Sequence, residues 1–80
     1  MTSYKAIVRN WVKMNIVDYL QERYSGTVIN VRFCALTISE DRCLFAARAT
    51  VRFIFNRNFI VSGEVLSSGS VIISEVEDIS

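Results

Sequence analysis

Tyr4, Val8, Val12, Ile16, Leu20 and Tyr24 recur every fourth residue, and at Thr27 the apolar period drops to two. A period near four belongs to a helix and a period of two to half-buried strands, so the chain must fold as one helix followed by a sheet. The spacing predicts a helix from Ser3 to Tyr24, with Ser3 as N-cap and Ser25-Gly26 as its stop. At 100° per residue a spacing of four drifts by about 40° per step, so the stripe winds around the helix. A twisted sheet gripping the helix along its length would cover such a stripe. Ile7, Trp11 and Met14 form a second apolar flank outside it.

Four runs rich in β-branched and aromatic residues follow: Thr27–Ile38, Cys43–Phe55, Phe59–Leu66 and Val71–Ile79. Their separators, residues 39–42, 56–58 and 67–70, have hairpin length, whereas parallel strands need far longer crossovers. The expected fold is therefore α+β, a helix packed on a four-stranded antiparallel meander (α-β-β-β-β), with residues 1–80 as a single domain. Phe45, Ala47, Ala49, Val51, Phe53 and Phe55 line one face of the second run, with Arg48, Thr50 and Arg52 on the other. Phe55 opposite Phe59 sets the expected register, with Gly63 against Val51 at the centre of the inner face and Trp11 or Tyr19 pressing on it. Ile29, Val31, Phe33 and Ala35 are the inward set of the first run. A slip of one residue would bury Arg48 and Arg52.

This element order resembles the helix-gripping sheets of cystatin-like domains, a helix-grip architecture. The inhibitory loop of Gln-Val-Val-Ala-Gly type that cystatins carry between their first long strands is replaced here by Ser39-Glu40-Asp41-Arg42. The resemblance therefore implies an architecture and no activity.

The chemistry that can be built is limited. Histidine is absent, which removes the commonest general base and every Ser-His or Cys-His arrangement. Two cysteines cannot hold zinc by themselves, and Cys34 and Cys43 fall on opposite faces by parity, so neither a metal site nor a disulfide is expected. Ser67-Ser68-Gly69-Ser70 lacks the glycines and lysine of a phosphate loop. Glu75, Glu77 and Asp78 read as a solvated strand edge. No catalytic residue and no cofactor follow from this.

Charge and apolar content point to binding instead. Residues 1–25 carry Lys5, Arg9, Lys13 and Arg23 against Asp18 and Glu22, a balance of +2. Residues 26–60 carry Arg32, Arg42, Arg48, Arg52 and Arg57 against Glu40 and Asp41, a balance of +3. Residues 61–80 carry Glu64, Glu75, Glu77 and Asp78 and no cation. The basic middle and acidic end can satisfy one another within one fold or between copies. Hydrophobic residues make up 51% of the 80, more than so small an interior can hide, which favours a protein partner and a homo-oligomer. The expected contact residues are Arg32, Arg48, Arg52 and Arg57 (the last at the tip of the second turn), with Ile54, Ile60 and Trp11.

The outer-face arginines admit three readings: pairing with Glu64 and Glu75, contact with a protein, or contact with nucleic acid, the chain then being a nucleic-acid-binding accessory factor. Small inhibitors and accessory proteins of phages or mobile elements have this character and are the expected class. Five phenylalanines under one helix should fill the interior, so no small-molecule ligand is expected. No stretch is long and apolar enough for a membrane span, and Lys5, Arg9 and Lys13 interrupt any leader-like core. With so few cysteines, the expected location is the cytoplasm.

Overall fold

The computed structural model describes residues 4–80. Helix α1 (Tyr4–Arg23) is followed by β1 (Thr27–Ile38), β2 (Cys43–Arg52), β3 (Asn56–Val65) and β4 (Val71–Asp78). The strands form one antiparallel sheet in the order β1-β2-β3-β4. The helix-on-meander expectation therefore holds. The proposed cap, Ser3, lies outside the described residues.

One face of the sheet receives the winding stripe. Val8, Val12, Ile16 and Leu20 are buried, while Tyr4, which begins the same series, is exposed. The edge strands β1 and β4 come closest to the helix backbone, as a sheet curled around its helix requires. From the sheet, Phe45, Ala47, Ala49, Val51, Phe59 and Val61 complete the buried core, with Cys43 at its margin. Each large aliphatic or aromatic side chain withdrawn from water in this way contributes about 1.5–3 kcal/mol. Tyr24 ends the stripe against two rings, edge-on to Phe53 at 6.5 Å and tilted on Phe59 at 5.0 Å.

The β2–β3 register differs from the expected one. Ala49 faces Phe59 and Arg52 faces Asn56, so the loop is Phe53-Ile54-Phe55 and residues 56–58 belong to β3. The observed register keeps all of β2 paired, from Cys43↔Val65 to Arg52↔Asn56. Pairing Phe55 with Phe59 would strip the first residues of β2 of ladder partners, and unpaired backbone is costly. Parity is unchanged, so Arg48 and Arg52 stay on the outer face. Asn58, expected in a turn, sits opposite Thr50, and the two side chains share a 2.8 Å hydrogen bond.

Strand β1 departs from simple alternation twice. Its register with β2 shifts between Val28 and Asn30 and again between Phe33 and Ala35. Each shift inserts one residue, Ile29 and then Cys34, and reverses which side of the strand faces in. Val28, Val31, Phe33 and Leu36 therefore pack against the core, whereas Ile29 and Ala35, expected inside, are exposed. The bulges bend a long edge strand around the helix and blunt an edge that would otherwise template pairing.

The glycines have positional reasons. A Cβ on Gly26 would lie 2.9 Å from the Arg52 carbonyl oxygen and 2.8 Å from the Phe53 ring, so Gly26 lets the chain leaving the helix pass against β2. Gly63 faces Phe45 and Ile73 beside a shift in the β3–β4 register. A Cβ there would overlap the Ile72 carbonyl oxygen. The crowding at Gly63 thus comes from β4 backbone and the Phe45 ring, and not from Trp11 or Tyr19.

Candidate interaction surfaces

The residues singled out from the sequence fall into four places. Trp11 lies on the helix flank that faces the β3–β4 loop. Arg32, Arg48 and Ile60 lie in one row across the outer sheet face, and Arg52 lies on the same face at the end of β2. Ile54 occupies the β2–β3 loop and is 93% exposed, with Phe55 beside it at 79%. Arg57 is separate from all of these. It stands opposite Val51, hence on the helix side of the sheet, and its guanidinium pairs with Asp78. The expectation that Arg57 caps a turn fails because the turn lies three residues earlier.

The helix flank carries a groove of about 610 Å³, lined chiefly by Tyr4, Ile7, Trp11, Met14, Leu66 and Gly69. Among the described residues no charged side chain lines it. Its geometry follows from the sequence: Ile7, Trp11 and Met14 are spaced four and three apart, so they share one side of α1, displaced from the buried stripe. Trp11 is 50% exposed, but its indole N–H donates to the Gly69 carbonyl oxygen at 2.8 Å. That bond ties the groove wall to the loop and fixes the ring. Gly69 holds the loop with a φ of 93°, a conformation that suits glycine. The opposite flank of the helix is basic, with the Arg9 guanidinium 5.9 Å from the centre of the Phe33 ring.

The outer sheet face is divided by charge. Arg32 stands directly opposite Arg48, and Arg52 follows on the same side of β2. Strand parity then puts Glu64 on β3 and Glu75 and Glu77 on β4 on this same face. The β1–β2 half is thus cationic and the β3–β4 half anionic. Among the described residues the one ion pair is Arg57–Asp78, so of the three readings of the outer-face arginines, pairing of Arg32, Arg48 or Arg52 with Glu64 and Glu75 is not the one observed. Ile60 separates Arg48 from Glu77 in the row Arg32-Arg48-Ile60-Glu77. Two like charges directly opposite in neighbouring strands cost stability rather than adding to it.

Other chemistry is sparse. Among the described residues no polar or charged side chain is buried and no cluster could hold a metal ion. Both cysteines are free, Cys34 exposed and Cys43 buried, as their parity predicts. Burial pushes the Cys43 thiol above its ordinary range. The Asp78 carboxyl is held below the usual carboxylate range, first by the Ser80 backbone N–H and then by the Ser80 hydroxyl and Arg57. No described helix is long and apolar enough to cross a membrane.

Comparison with family models, with curated proteins and with solved structures gives no match. The fold and its surfaces define a class, an α+β helix-on-meander domain with an apolar groove on one helix flank and a charge-divided sheet face. No solved structure confirms the cystatin-like resemblance expected from element order.

Proposed function

We propose that this chain is a non-enzymatic protein-binding module acting as a homodimer, an inhibitor or accessory protein of the kind phages and mobile elements carry. The observation that supports it is the groove beside Trp11. A half-exposed tryptophan, pinned by its own N–H, walls an uncharged cleft together with Ile7, Met14 and Leu66. Rigid aromatic anchors in desolvated clefts are what dominate binding energy in protein interfaces. The matching partner is a protein segment that presents apolar side chains and no charge, such as one face of an amphipathic helix.

The test is affinity capture on the immobilised chain from a nuclease-treated lysate, washed at low and at high salt. The chain with Trp11→Ala and Met14→Asp is run beside it. The proposal expects one stoichiometric protein that survives salt on the native chain and is lost from the variant. Equal recovery on both chains refutes the groove as the site.

A second reading, a nucleic-acid-binding accessory factor, is favoured by one observation: Arg32 and Arg48 face each other with no carboxylate between them. It predicts affinity that falls steeply with salt. Recovery of nucleic acid alone, released at high salt, would put it in place of the first.

A further inference from the structure

The division of charge on the outer face has a geometry of its own. Outward positions on β1 and β2 include Arg32, Arg48 and Arg52 and no carboxylate, while those on β3 and β4 include Glu64, Glu75 and Glu77 and no cation. Where the two halves meet, the smaller pairs Ala46–Ser62 and Thr50–Asn58 flank the larger pair Arg48–Ile60.

We infer that the occupant of this face is a second copy of the chain, packed sheet to sheet about a two-fold axis that runs parallel to the strands. Two in-plane axes are available to a face-to-face dimer. An axis perpendicular to the strands lays β1 over β1 and stacks arginine on arginine. An axis parallel to the strands reverses the strand order, so β1 lies over β4 and β2 over β3 of the second copy. Only the second brings the cationic half of each copy over the anionic half of the other. The row Arg32-Arg48-Ile60-Glu77 then maps onto itself. Arg32 meets Glu77 of the second copy, and Arg48 lies over Ile60 of the second copy. Each such contact occurs twice, as an isologous interface demands.

The size of the face is consistent with this. Four strands about 4.8 Å apart and about ten residues long cover about 600 Å² per copy, or about 1,200 Å² in all. That is the lower end of specific interfaces, so the dimer should dissociate measurably and respond to salt. Aligned sheets pack with their strands within about 30° of each other, within reach of arginine side chains. This inference rests on the homodimer part of the proposed function and adds to it the surface and the symmetry.

The test is sedimentation equilibrium on the native chain, on Arg32→Glu, on Glu77→Arg, and on an equimolar mixture of the two variants. The native chain is expected at about 18 kDa, twice the 9.1 kDa of one copy. Each single reversal places like charges together twice per dimer and should raise the dissociation constant by about a hundredfold. In the mixture both contacts become attractive again, so a heterodimer of near-native affinity should form. Recovery in the mixture also shows that the variants fold. A native monomer overturns the inference together with the homodimer reading. A native dimer that both single reversals leave intact overturns only the face and the axis, as does a mixture that stays monomeric. Neither result bears on the groove, which has its own test.

Discussion

The indole nitrogen of Trp11 donates to the carbonyl oxygen of Gly69 at 2.8 Å, joining the helix to the loop between β3 and β4 across 58 residues of sequence. This bond sets the shape of the groove. Replacing Trp11 by Phe removes the donor and keeps an aromatic ring. The expected cost is about 1 kcal/mol of stability, read from urea unfolding midpoints. Gly69→Ala should cost a similar amount or more, because its φ of 93° disfavours a side chain although the site is open.

Gly63→Ala is expected to be the more damaging glycine substitution. Its Cβ would overlap backbone of β4, and backbone in a paired strand cannot yield as a flexible side chain does. Overpacking costs about 1–3 kcal/mol, and an overlap with backbone belongs at the upper end of that range. Denaturant unfolding of Gly63→Ala beside Gly69→Ala tests the ranking, and a Gly63→Ala as stable as the native chain would contradict the packing described for β3 and β4.

The C-terminal end of the sheet carries a pH dependence. Asp78 accepts from the Ser80 backbone N–H at 3.0 Å and pairs with Arg57, and its carboxyl titrates below the ordinary range. A lowered folded value means that the contribution is present above the unfolded value and is lost as pH falls through the folded one. Unfolding midpoints of the native chain should therefore fall more on acidification than those of Asp78→Asn. Equal slopes for the two would remove Asp78 from the account.

The two thiols should separate in reactivity. Cys34 is exposed at a bulge of the edge strand, and Cys43 is buried with its thiol pushed up. Thiolates are the reactive species, so a mild alkylating reagent should modify Cys34 and leave Cys43 until the chain unfolds. Peptide mapping after labelling reads this directly. Labelling of Cys43 in the folded chain would contradict its place in the core.

The helix-on-meander fold was legible because each element announces itself by period and the separators are too short for crossovers. The winding stripe was legible for the same reason at Val8, Val12, Ile16 and Leu20, and the exposed flank at Ile7, Trp11 and Met14. The position of the second turn was not. Phe53-Ile54-Phe55 continues the alternation of β2, and Asn56-Arg57-Asn58 has turn composition. Ladder length along β2 decides the matter, and it depends on a partner strand no local window contains. The bulges at Ile29 and Cys34 left no mark either, since they answer to the curvature the helix imposes on β1. Parity survives a register shift of an even number of residues. The outer-face positions of Arg48, Arg52 and Ile60 were therefore readable, while the pairing of Arg57 with Asp78 was not.

Occupancy of the groove beside Trp11 by a partner protein can be read from the chain's own reporter, since Trp11 is its sole tryptophan. Emission from Trp11 should be followed while the protein recovered at high salt is titrated in, using a partner segment free of tryptophan. A blue shift and loss of quencher access that saturate at one partner per chain are expected, because the half-exposed ring passes out of water. Saturable binding that leaves the Trp11 emission unchanged would contradict occupancy of the groove.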